Sequence, residues 1–138
     1  MKINKINIIA FGGLKNFSLD FNSGFNCIFG ENEHGKTTIL SFIKMMFYGS
    51  ERAGSQISKN IRKKYTPWDG SQMAGSIEFE NNGRKFRLER EFRSSNTTDK
   101  VSLTDLSLGE KQTVSGDIGT KLFGLSAAAF DQIGRAHV

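Results

Sequence analysis

A chain of 138 residues, 37% hydrophobic and 24% charged, holds enough apolar side chain for one packed domain. One proline and no low-complexity run exclude the disordered classes, and no apolar run approaches the roughly 18 residues that a membrane span needs. A net charge of +5 is compatible with a nucleic-acid partner and equally with a solvated basic surface. The single cysteine, Cys27, has no internal disulfide partner, which fits a reduced, cytoplasmic setting. Its apolar neighbours make it a small core residue rather than a reactive thiol. The opening MKINKINIIAF alternates and lacks the long apolar region of a signal peptide.

Lys2 to Ala10 is expected to be the first strand, with Ile6, Ile8 and Ala10 on one face and Asn7 and Ile9 on the other. Gly12-Gly13 turns the chain. Phe17, Leu19 and Phe21 alternate with Ser18 and Asp20 in a second strand. After Asn22-Ser23-Gly24, the apolar run Phe25 to Phe29 suits an interior strand.

Gly30 to Thr38, GENEHGKTT, then satisfies G-x-x-x-x-G-K-[ST] with Gly30, Gly35, Lys36 and Thr37. This is the phosphate-binding loop, or P-loop, and each part has a physical job. Glycines let successive backbone N–H groups turn toward an anion. Lys36 sets a positive charge against the outer phosphates, the Thr37 hydroxyl is placed to ligate a magnesium ion, and Thr38 can reach an inner phosphate. The helix behind, Thr38 to Tyr48 (TILSFIKMMFY), is apolar nearly all round and is expected to be buried, with Gly49 as its cap. Its N-terminus points unpaired N–H groups at the same phosphates. The loop thus follows the third strand in chain order.

Ser50 to Trp68 is a polar, basic connection carrying Lys59, Arg62, Lys63 and Lys64, with Tyr65 and Trp68 behind them. Two readings stand. The basic residues contact a DNA backbone with aromatics nearby, or the loop is solvated and Tyr65 and Trp68 anchor it to the core. Ala74 to Glu80 alternates, Asn82-Gly83 is a hairpin signal, and Phe86, Leu88 and Phe92 alternate with Arg87, Glu89 and Glu91. Arg93 to Asp99 reads as a polar loop, Val101 opens another strand, and Asp117 to Phe123 is a short helix closed by Gly124. Ser126 caps a final helix from Ala127. Leu106 to Gln112, LSLGEKQ, matches an L-S-x-G-[EQ] signature, but it follows a strand pattern and no Asp-Glu strand comes after it. It is expected to be a β-turn.

Several runs together resemble a known family: AFGGLKNFSLDF, GFNCIFGENEHGKTTILSFIKMMFYG, YTPWDGSQMAGSIEFENNGRKFRLEREF and LFGLSAAAF. Residues 1–132 resemble the N-terminal half of an ATPase head of the SMC/SbcC group, and within it the YhaN-type bacterial AAA proteins. The resemblance implies an α/β fold. It is a P-loop NTPase of the ABC/SMC-head type, represented by its N-terminal lobe with an antiparallel β subdomain, and incomplete as a domain. It implies ATP and Mg²⁺ as cofactors, with Gly30, Asn32, Glu33, His34, Gly35, Lys36, Thr37 and Thr38 at the nucleotide and Thr37 on the metal. It also implies a second head as partner, action on DNA in repair or processing, and a neighbouring metallophosphoesterase-type nuclease. Nothing in it calls for a membrane.

Glu31 and His34 stand where relatives usually have proline and alanine, and Gly12-Gly13 where some have an arginine near the nucleotide. His34 reads as a variable loop side chain rather than a catalytic histidine. No residues that would orient a hydrolytic water can be assigned, so the chain alone is expected to bind ATP without turning it over. A nucleotide or metabolite kinase, and a nucleotide-dependent interaction module that never hydrolyses ATP, are the competing functions. Residues 133–138, IGRAHV, are what the adaptor-like DNA ATCGGAAGAGCACACGTC encodes. They are expected to be a non-native tail.

Overall fold

The computed structural model describes residues 2–21, 33–49, 62–93, 98–114 and 118–123. Their elements are β1 (Lys2–Phe11), β2 (Leu14–Asp20), α1 (Glu33–Tyr48), β3 (Ala74–Asn81), β4 (Arg84–Glu91), β5 (Lys100–Asp105), β6 (Glu110–Val114) and α2 (Ile118–Phe123). The strand expected over Phe25 to Phe29, with Cys27 in it, lies outside the described residues. So do the helix expected from Ala127 and the 133–138 tail.

The six strands form one antiparallel sheet in the order β2-β1-β3-β4-β5-β6. β1 is shared. It pairs with β2 on one side, Ile8 opposite Phe17, and with β3 on the other, Ile6 opposite Ile77. The N-terminal hairpin and the expected β subdomain are therefore one continuous ladder among the described residues, not two separate layers. Asn82 and Gly83, with φ of 53° and 76°, make the β3–β4 turn, and two successive positive φ values match the right-handed twist of the strands they join. β6 has no apolar alternation to announce it. Lys111 and Gln112 are exposed on a sheet edge, which suits charged and polar side chains.

Period-two alternation decides which face is inside. Ile6, Ile8, Ala10, Leu19, Ile77, Phe79, Leu88 and Val101 are buried, while Ile9 on the outer face is 52% exposed. α1 lies on the inner face and buries Ile39, Phe42, Ile43, Met45, Met46, Phe47 and Tyr48, the near-complete apolar circumference expected of it. Phe42 meets Phe11 edge-on at 5.3 Å between ring centroids, and Phe47 meets Phe79 at 5.1 Å. Each such side chain contributes on the order of 1.5–3 kcal/mol by leaving water. Gly49 closes the helix, its N–H bonded to the Met45 carbonyl at 2.8 Å. α2 packs against the C-terminal end of α1, with Gly119 under the Tyr48 ring. No helix of the described residues is long and apolar enough to cross a membrane.

Candidate nucleotide site and its basic flank

α1 begins at Glu33, five residues earlier than the apolar pattern alone suggests. Its backbone therefore carries Glu33, His34, Gly35, Lys36 and Thr37 in helical conformation, with Thr38 behind them. Gly30 and Asn32 lie outside the described residues. The opening turns of a helix hold N–H groups without intrahelical partners and a partial positive charge. The glycine and lysine of the motif thus stand on backbone that already favours an anion.

Three segments meet beside this end of the helix. A Cβ placed at Gly12, in the β1–β2 turn, would lie 3.3 Å from Tyr65 Cδ1 and 3.5 Å from Thr38 Cγ2. The Gly12 N–H donates to the Tyr65 carbonyl at 2.6 Å. Tyr65 stacks on Phe11 with centroids 4.6 Å apart, and its hydroxyl donates to Ser41 Oγ on α1 at 2.9 Å. Residues 62–65 are helical, and a turn follows in which the Gly70 N–H reaches the Pro67 carbonyl at 3.3 Å. Asp69 accepts from the Lys15 ammonium of β2 and from the Ser71 N–H at 2.9 Å. The Lys15 ammonium, and then the Ser71 hydrogen bonds, hold the Asp69 carboxyl well below the usual carboxylate range.

Tyr65 anchors this segment, as one of the two sequence readings expects, but Trp68 does not. It is fully exposed, at 102%. Lys63 and Lys64 are exposed as well, with Lys64 Nζ 5.4 Å from the Tyr65 ring centroid. Lys59 lies outside the described residues.

Arg62 differs from the DNA contact expected of it. It is 7% exposed and forms a bidentate pair with Asp99, both contacts at 2.9 Å, while also donating to the Arg93 carbonyl at 3.1 Å. Arg90 joins the same carboxylate through Nε at 3.0 Å and donates to the Met46 carbonyl at 3.1 Å. That carbonyl belongs to the last turn of α1, where a cation is favoured. Both guanidinium groups lie near the Phe92 ring, at 5.9 Å and 5.5 Å. Arg62 is thus held in the interior by an aspartate from what reads in sequence as an open polar loop. One signal was available. Arg90 occupies the inward parity between Leu88 and Phe92, and a cation on an apolar face needs a buried anion.

Of LSLGEKQ, Leu106 to Gly109 form a turn and Glu110 to Gln112 open β6. The Ser107 and Leu108 N–H groups donate to Asp105 Oδ1 at 2.9 Å and 3.2 Å, and the Gly109 N–H reaches the Asp105 carbonyl at 2.7 Å. Burial raises the Asp105 carboxyl, but the Leu108 and Ser107 hydrogen bonds and the Arg84 guanidinium outweigh it and leave it lowered. This turn sits at the end of the sheet shared with the β3–β4 turn, opposite the end that holds Gly12 and Tyr65. It neither opens a helix nor approaches Thr38.

A family model described as an AAA domain matches residues 5–134. The uncharacterized protein YhaN of Bacillus subtilis strain 168 is 31% identical over 124 residues, 89% of this chain and 11% of YhaN. The Septu protein PtuA of Bacillus thuringiensis is 40% identical over 60 residues, 44% of this chain and 15% of PtuA. The chain thus spans a small fraction of either relative's length.

Proposed function

Because the chain belongs to the SMC-like AAA-domain family, we propose that it is the ATP-binding N-terminal lobe of an ATPase head, joined in the whole protein to DNA processing. The observation that carries this reading is the start of α1 inside the motif, which sets Gly35, Lys36, Thr37 and Thr38 on its opening turns. The donor set fits a magnesium nucleotide. Backbone N–H groups and the Lys36 ammonium suit the phosphates, and the Thr37 hydroxyl suits a hard cation that prefers oxygen. Bound there, Mg²⁺ neutralises phosphate charge. Lys36 supplies the second positive charge, and the helix N-terminus holds the anion in register. The Tyr65–Gly12–Thr38 packing buttresses that end of the helix from the side.

Hydrolysis is assigned to the whole protein, where a second head would complete the site and a metallophosphoesterase-type nuclease would act beside it. The exposed pair Lys63 and Lys64, with Lys59, is the proposed contact to the DNA backbone, while Arg62 serves the interior.

Calorimetry of the 138-residue chain with MgATP tests the site. Lys36→Ala removes a charge-assisted contact worth about 1.5–3 kcal/mol, so affinity should fall on the order of ten- to a hundredfold. Equal affinity for wild type and variant would remove Lys36, and the site with it.

A further inference from the structure

Trp68 combines full exposure with a fixed base. Tyr65, three residues before it, is held by Phe11, Ser41 and Gly12, and Asp69, directly after it, is held by Lys15 and Ser71. A large ring kept in water on a pinned turn forgoes the stabilisation that burial would give it. Its surroundings argue against an apolar protein partner. The other exposed large hydrophobic residues among those described are Ile9, on the outer sheet face, and Leu106 and Leu108, at the far end of the sheet, so the described residues form no contiguous apolar patch with it.

Charge does gather there. Lys15 is matched by Asp69 and Arg62 by Asp99, so exposed Lys63 and Lys64 set the sign of the surface just before the ring. A fully exposed π-face only four and five residues along the chain from two exposed lysines is the combination that takes an unpaired base on one and its backbone phosphates on the other.

We infer that Trp68 is a stacking platform for an unpaired nucleobase, so that this flank takes single-stranded DNA, or the frayed end of a duplex, in preference to intact duplex. The inference rests on the DNA reading of Lys63 and Lys64 and narrows its substrate class. Within a duplex each base already has neighbours above and below, and the ring has no free face to meet. Single-stranded DNA offers that face with no unstacking cost, and the lysines track its phosphates.

Trp68 is the chain's single tryptophan, so its fluorescence reads the contact directly. Titration with oligo(dT) of about a dozen nucleotides, near the span such grooves cover, should quench it saturably. The midpoint should move with salt. A blunt duplex of equal length should bind without comparable quenching. Trp68→Ala should weaken oligo(dT) binding roughly five- to a hundredfold, leave duplex binding unchanged, and be partly rescued by Trp68→Phe. Lys63→Glu with Lys64→Glu should weaken both DNAs and flatten the salt dependence.

Oligo(dT) binding that responds to the lysine reversals but not to Trp68→Ala overturns the stacking platform and leaves the DNA reading standing. Absence of binding to either DNA overturns both. Quenching by MgATP with none by oligo(dT) overturns the inference by assigning the ring to the head's own nucleotide.

Discussion

Asp99→Ala is expected to cost about 3–5 kcal/mol, the penalty for stranding a buried charge by removing its partner. Here one carboxylate serves two cations. Its side chain is fully buried, Arg62 and Arg90 converge on it, and its Oδ1 also accepts the Arg93 N–H at 2.6 Å. Guanidinium groups cannot shed their protons to escape, so both would remain charged in the interior. Domains of this size are stable by only about 5–15 kcal/mol, so the variant should be largely unfolded or close to it at room temperature. Asp99→Asn, which keeps the shape and loses the charge, should fall between. Urea unfolding followed by circular dichroism reads both. A midpoint for Asp99→Ala within error of wild type would mean that the two arginines find water or other partners without cost. Replacing Arg62, Arg90 and Asp99 together by apolar residues of similar volume should be far milder than Asp99→Ala alone, because no unpaired charge is left behind.

Gly75→Ala is the second large expected effect, and it arises from addition rather than removal. A Cβ at Gly75 would lie 2.4 Å from Phe42 Cζ and 2.7 Å from the Asn7 carbonyl oxygen. Neither neighbour can yield easily. Phe42 is fully buried and braced by Phe11, and the Asn7 carbonyl belongs to the central β1–β3 ladder. Overpacking of this kind typically costs about 1–3 kcal/mol. Here the clash with the backbone oxygen places it at the upper end, and Gly75→Val should exceed it. Thermal unfolding is the measurement, and an unchanged midpoint would show that α1 rides away from β3 freely. Trimming the opposing ring should recover part of the loss: Gly75→Ala with Phe42→Leu should be less destabilised than the sum of the two single changes.

How much of this was legible in the sequence depended on whether a signal was local. Alternation in β1, from Ile6 to Ala10, and the Asn82-Gly83 pair are read from neighbours a few residues apart, and both match the structure. The unbroken apolar circumference of α1 made its burial plain, while its start was misjudged. Glu33, His34, Gly35, Lys36 and Thr37 carry no apolar period, because that turn is chosen for backbone exposure to an anion and not for packing. β6 escaped notice for a related reason: an edge strand with exposed Lys111 and Gln112 has no inward stripe to reveal it. The Arg62–Asp99–Arg90 cluster joins residues 37 and 9 positions apart, and nothing in a basic loop or a polar loop says which of its charges turns inward. Among the proposed site residues, Gly35, Lys36 and Thr37 owe their prominence to a spaced motif that composition cannot hide. The exposure of Trp68 was invisible, since an aromatic after a basic run reads equally well as an anchor.

The position of β1 between β2 and β3 has a further consequence, in the statistics of chain closure. Ala10 pairs with Ala74, so everything between them, α1 included, is a loop of roughly 60 residues closed by the central ladder. The entropy of closing such a loop grows only with the logarithm of its length, by about 0.6 kcal/mol for each doubling. A dozen extra residues between α1 and β3 would therefore add only about 0.2 kcal/mol. The same insertion in the two-residue Asn82-Gly83 connection would abolish the turn that sets the β3–β4 register. Chain length is loosely specified between the helix and β3, and tightly specified in the hairpin that follows.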